Sequence, residues 1–214
     1  MMDVFTGGAF QTNGYLLRFS GAGAVLVDAP EGVAGWLESR GQSIDTLLLT
    51  HLHYDHVVDV AALKRDHGCA VYAHSAPDPD LTLETVLKEV MGLPIEIGPF
   101  EVDRFLAGES EIEISASGIT LGLHPVPGHS PDSLCFGPFD HEDLEGSPVL
   151  FGGDVLFRGG IGRTDFPHGN HAQLISGIRE IVFAFPDETR VLPGHGPPTT
   201  VGLEKAANPF LQEF

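Results

Sequence analysis

The run Thr46-Leu47-Leu48-Leu49-Thr50 passes without a break into His51-Leu52-His53-Tyr54-Asp55-His56. A continuous apolar run with no alternation predicts a strand buried on both faces, so its sheet must be covered on both sides. Asp55 to His67 then carries apolar residues at Val57, Val58, Val60, Ala61 and Leu63, and Gly68 follows, which predicts a helix with a C-terminal stop. Strand, polar turn and helix in that order form one αβ unit. Ligands of such folds gather at the carboxyl ends of the strands, which is where these histidines fall.

The rest of the chain repeats this rhythm. Tyr15–Phe19 and Ala24–Asp28 read as neighbouring strands joined by the turn Gly21-Ala22-Gly23, and Gly32–Arg40 reads as a short helix closed by Gly41. Val71–Ala73 is strand-like, and a helical stretch is expected around Leu83–Met91 in a proline-rich middle. Ile112–Ile114, Ile119–Val126, Ser133–Phe136, Pro148–Phe151 and Arg190–Leu192 are strand-like, Ala172–Phe185 is helical by period, and Gly202–Ala207 predicts a last helix. No linker divides the chain, so one α/β domain over residues 1–214 is expected, with sheets inside and helices outside.

Residues two apart on an extended segment face the same side, so His51 and His53 can grip one ion. Asp55 and His56 sit where the chain turns into a helix and can face a second. Imidazole and carboxylate donors without a thiolate suit zinc, iron or manganese. Other strand-like runs end the same way: Pro127-Gly128-His129, Gly152-Gly153-Asp154 and Pro193-Gly194-His195. A lone Gly-His is usually only a turn. Several strand ends that each present a metal-type side chain after a glycine form a combined signal.

Bulk properties bound the possibilities. The 214 residues, 42% of them hydrophobic, can bury a core without staples. No apolar run is long enough to span a membrane, and the N-terminus lacks the pattern of a secretory signal. Cys69 and Cys135 read as reduced core residues, which fits a cytoplasmic protein. A formal net charge of −19 opposes binding to nucleic acid or anionic lipid. A small molecule is the expected partner, handled by a monomer or small homo-oligomer.

His51-x-His53-x-Asp55-His56 with Gly128-His129, Gly153-Asp154 and Gly194-His195 resembles the metallo-β-lactamase superfamily. The resemblance implies a four-layer αβ/βα sandwich with the site at its edge. It implies that His51, His53 and His129 hold a first metal, that Asp55, His56 and His195 hold a second, and that Asp154 bridges them. Two divalent ions are expected, zinc foremost, with iron or manganese as alternatives.

Two stretches point to a branch. Gly153 to Asp165 resembles a loop of glyoxalase II-type thioesterases and of persulfide dioxygenases. Leu192 to Thr200, with Glu204-Lys205 and Asn208-Pro209, resembles short bacterial glyoxalase II-like proteins. That resemblance implies hydrolysis of S-lactoylglutathione or a similar acyl thioester by a hydroxide bridging the metals, with Asp55 and Asp154 bearing on catalysis. No counterpart of the glutathione-binding helical domain of full-length glyoxalase II is expected in these residues. A mononuclear iron persulfide dioxygenase and a hydrolase of another ester, lactone or lactam are the alternatives. Arg158, Arg163 and His168 are candidate substrate contacts, although Arg163 beside Asp165 also reads as a structural ion pair. Tyr54, Asp59 and Asp132 depart from the family pattern.

Overall fold

The computed structural model describes residues 1–19, 23–90, 92–93, 95–114, 119–139 and 146–212. Two six-stranded sheets form the centre. The first runs β1 (Met2–Gly7), β2 (Thr12–Arg18), β3 (Ala24–Val27), β4 (Thr46–Leu48), β5 (Ala70–Ala73) and β6 (Arg104–Phe105). β1 to β3 pair antiparallel, and β3 to β6 pair parallel. The second sheet contains β7 (Glu111–Ile114), β8 (Ile119–Pro125), β9 (Leu134–Phe139), β10 (Val149–Gly153), β13 (Arg190–Pro193) and β14 (Thr199–Thr200), in the order β14-β13-β10-β9-β8-β7. Within it only β10 and β13 are parallel. A small hairpin of β11 (Leu156–Phe157) and β12 (Gly160–Ile161) stands apart.

Strand alternation sorts the side chains between layers. Tyr15, Leu17, Val25, Val27 and Leu48 meet Leu121, Leu123, Phe136, Phe151 and Leu192 between the sheets. On the outer face of the first sheet, Leu16, Leu26, Leu47 and Val71 pack against α1 (Val33–Ser39), α2 (Tyr54–Val57) and α3 (Val60–His67). On the outer face of the second, Leu150 and Val191 pack against α5 (His171–Glu180), the 3-10 turn Val182–Ala184 and α6 (Val201–Ala207). The result is the expected αβ/βα sandwich. Cys69 and Cys135 are buried, unpaired core residues. Among the described residues no helix is long and apolar enough to cross a membrane.

Several expected boundaries move. The helix expected over Asp55–His67 is two helices, broken at Val58-Asp59. Asp59 faces α1 instead, and its carboxylate accepts the backbone N–H groups of Gly32 (3.0 Å) and Ala34 (2.9 Å). Gly32 has no side chain to cap α1, so a residue distant in sequence satisfies those donors. The helix expected over Ala172–Phe185 ends at Glu180 and tightens into the 3-10 turn. β1 and β14, not foreseen, are edge strands whose pairing depends on partners elsewhere in the chain. α4 spans Glu84–Glu89, within the stretch expected to be helical; Met91, at the end of that stretch, lies outside the described residues, as do Gly21 and Ala22 of the expected turn.

Candidate metal centre

The two sheets join at one edge. Asn13 N–H donates to the Gly194 carbonyl (2.7 Å), Gly194 N–H to the Gly153 carbonyl (2.8 Å), and Leu134 N–H to the Thr50 carbonyl (2.8 Å). These bonds stitch together the loops after β4, β8, β10 and β13, which carry His51–His56, His129, Asp154 and His195. Close approach requires glycine at two points. A Cβ on Gly194 would stand 2.1 Å from Asp154 Oδ1, and Gly153, at φ +48, has room for none because Thr50 Oγ1 would be 2.6 Å away.

The residues gathered there fall into three overlapping groups whose ligand-type atoms lie within 4.8 Å of one another: His51, His53 and His129; His51, His56 and Asp154; Asp55, His56 and His195. Asp154 faces both ends of the cluster. Its Oδ1 is 3.4 Å from His56 Nε2, and its Oδ2 is 3.5 Å from His129 Nε2 and 3.2 Å from His195 Nε2.

A second set of contacts turns the rings inward. Nδ1 of His51 faces Thr50 Oγ1 (3.1 Å), that of His56 faces Asp28 Oδ2 (2.9 Å), that of His129 faces the Arg163 carbonyl (2.7 Å), and that of His195 faces the Phe10 carbonyl (3.0 Å). With Nδ1 engaged outward, Nε2 is the atom left for the centre. The Nε2 atoms of His51, His56 and His129 and Oδ1 of Asp154 are buried without a hydrogen-bond partner. Buried polar atoms are rarely left unpaired, so this cluster of orphans fits divalent metal ions.

The charge states agree. Burial, reinforced by neighbouring histidines, holds His51 well below its ordinary pKa and takes His53 down to about 3. Burial opposes charge on His56 and His195 too, but Asp55, Asp28 and Asp154 raise His56 well above its usual value. Hydrogen bonds to Asp154 and Asp55 bring His195 to about 10. Burial raises Asp55, yet His56, His195 and Thr12 together hold it at about 2. Asp154 is likewise held well below the carboxylate range against its burial, chiefly by His56 and His195. Without metal, the cluster therefore holds protons on His56 and His195 beside two carboxylates.

Sequence reasoning missed the supporting residues. Asp28 is buried, and its carboxylate accepts Thr50 N–H (2.8 Å) and the Thr50 hydroxyl (2.8 Å) as well as facing His56. It ends β3 much as Asp154 ends β10, a signal that could have marked it. Thr12 donates to Asp55 Oδ2 (2.5 Å), and Asn13 and Tyr15 donate to the Pro193 carbonyl (3.1 and 2.7 Å), bracing the His195 loop. Nothing local in the sequence marks these three. The unexplained Asp132 is buried in the His129 turn, where its carboxylate accepts the Ser130 hydroxyl and so braces that turn.

The centre opens into a cavity of about 310 Å³. Arg163 lines it, bound to Asp165 through two 2.7 Å contacts and lying 3.9 Å over the Phe166 ring. Arg158 and His168 are not among its lining residues: Arg158 donates to the Pro198 carbonyl, and His168 is exposed at φ +67. Tyr54, the bulky departure inside the hexapeptide, forms part of the cavity wall.

Fold and site together define a metallo-hydrolase, and the chain belongs to the metallo-beta-lactamase superfamily, whose model matches residues 7–195. The chain is 39% identical to hydroxyacylglutathione hydrolase GloC of Haemophilus influenzae over 95% of this chain and 94% of that protein. Among solved structures, the B3 metallo-beta-lactamase BLEG-1 matches with TM-score 0.85 and 33% identity, covering all of both chains. TTHA1623, solved in a di-iron-bound form, matches with TM-score 0.76 and 33% identity over 98% of this chain and all of that one.

Proposed function

We propose that the protein is a binuclear thioesterase of the glyoxalase II type, hydrolysing S-lactoylglutathione or a similar acyl thioester. The observation that carries this reading is the trio Asp55, His56 and His195 standing complete beside the trio His51, His53 and His129. A mononuclear oxygenase has no use for a second trio. In this assignment His51, His53 and His129 would hold one ion, Asp55, His56 and His195 the other, and Asp154 both. The similarity to a hydroxyacylglutathione hydrolase along nearly the whole chain supports the same substrate class.

When bound, such ions supply Lewis acidity and bring the pKa of water down to about 7. The chain's own groups do the rest. Asp55 and Asp154 remain ionised at neutral pH, so both are available as ligands without a proton to lose. Thr12 and the Nδ1 contacts fix the carboxylate and the rings, so little reorganisation accompanies reaction. A thiol leaves with a pKa near about 8.5, so the site requires no strong protein acid.

Metal analysis paired with an S-lactoylglutathione assay tests the reading. Two ions per chain with thioester hydrolysis is the expected result. Two ions with no hydrolysis of any thioester would defeat the function while leaving the fold intact. The likeness to BLEG-1 along the full chain favours lactam hydrolysis as the second reading, and a chromogenic β-lactam in the same assay checks it. Oxygen consumption with glutathione persulfide would reveal a dioxygenase.

A further inference from the structure

The cavity beside the centre has two unlike ends. At the His53 end, the Phe166 ring lies 6.2 Å from the imidazole, and Leu83 and Leu87 close the wall, each only 4% exposed. These residues, with Tyr54 and Ile95, form a small apolar cluster separate from the main cores. At the His195 end, the wall is Phe157, 6.1 Å from that ring, and Phe10, which is 45% exposed and borders open solvent. Arg163 is the one lysine or arginine lining the cavity among the described residues, and Asp165 already pairs with it.

A thioester must lay its scissile bond at the histidines and send one arm toward each end. The thiol arm of a peptide thiol is large and charged. A cavity of about 310 Å³ whose one arginine is already paired offers it no enclosed place, so it must leave by the open end. The closed end is left to the acyl arm, and its wall is leucine and phenylalanine. A hydroxyl placed there would give up its water for no partner, whereas a methylene gains by leaving water.

We propose, building on the thioesterase reading, that the Leu83–Leu87–Phe166 end of the cavity is an acyl subsite selecting apolar chains, so that the enzyme prefers medium-chain acyl thioesters to the short hydroxyacyl S-lactoyl group. Leu87, one turn into α4, is the specificity-determining residue on which the subsite turns.

Two measurements on the metal-loaded protein test this and separate its failure from that of the thioesterase reading. The first is binding of unreactive thioethers, S-hexyl- against S-methylglutathione, by calorimetry. Each buried methylene is worth up to about fourfold, so the hexyl compound is expected to bind at least about tenfold tighter. In Leu87→Asn this ratio should fall toward one, and in the volume-conserving Leu87→Met it should persist, which separates loss of the subsite from loss of the fold. The second is kcat/KM for S-hexanoyl- against S-lactoylglutathione, expected to favour hexanoyl by at least about tenfold. Equal binding of the two thioethers, or a preference for lactoyl, overturns the subsite. A hexyl preference in binding with no thioester hydrolysed upholds the subsite and overturns only the thioesterase reading.

Discussion

His56 Nδ1 stands 2.9 Å from Asp28 Oδ2, with both side chains sealed from solvent. The contact fixes the tautomer and aim of the imidazole, since a ring whose Nδ1 is engaged presents Nε2 to the centre. Asp28→Asn keeps the shape but removes the charge. It is expected to lower metal affinity or activity by about 10–100-fold while the circular dichroism spectrum is unchanged. Unaltered metal titration and kinetics in that variant would show that the contact is merely packing.

Gly194 allows Asp154 and His56 to approach the His195 loop. A methyl at this position would lie 2.1 Å from Asp154 Oδ1 and 2.6 Å from His56 Cε1, so the carboxylate must swing away. Gly194→Ala is expected to reduce bound metal by about one ion per chain and activity by at least about 100-fold, since displacement of about 1 Å is enough for such a loss. Elemental analysis of the purified variant measures the first effect; a full complement of metal would contradict it.

Metal loading should release protons unequally. His51 and His53 are already neutral, whereas His56 and His195 carry protons at neutral pH. A coordinating imidazole must be neutral, so filling the Asp55–His56–His195 trio is expected to expel about two protons at pH 7 and filling the His51–His53–His129 trio far fewer. Calorimetric titration in buffers of different ionisation heat counts them. Release of no protons over the whole titration would refute the charge assignment.

The metal-free protein should be most stable near pH 6.5 and weaken on both sides. On the acid side, folded His53, at about 3, refuses a proton that the unfolded chain accepts below its ordinary value. Stability therefore falls as pH drops, by up to about 1.4 kcal/mol per pH unit for each such histidine. On the alkaline side, folded His195, at about 10, holds a proton that the unfolded chain has lost, so its contribution is complete below the ordinary value and fades as pH rises toward 10. Thermal melts of chelator-treated protein across this range measure the curve. A midpoint that goes on climbing as the pH is lowered below about 6 would rule the account out.

How much of this was legible in the chain depended on whether the information was local. The buried strand Thr46–Thr50, the hexapeptide after it and the glycine-led His129, Asp154 and His195 are each contained in a few consecutive residues; the periodicity around them made one α/β domain with sheets inside and helices outside readable, and the αβ/βα sandwich followed from the family resemblance those motifs carry. The break at Val58-Asp59 was not readable. The pattern there is helical, and the reason to interrupt it is a set of unsatisfied N–H groups on α1, more than twenty residues upstream. Arg158 and His168 illustrate the same limit, because a polar residue near a candidate loop says nothing about which way the loop faces.

The sequence by itself determined the donor types, their order and the strand ends that present them, since backbone period and glycine placement act over a few residues. Tertiary structure alone decided the rest. The apposition of two sheet edges brought Asp154 between the trios, engaged Nδ1 of His56, His129 and His195 with partners distant in sequence, and left the Nε2 atoms of His51, His56 and His129 facing inward. It also built an apolar wall from α4 beside a charged centre. These relations join residues up to 185 positions apart, and no local pattern encodes a distance that exists only once both sheets have packed.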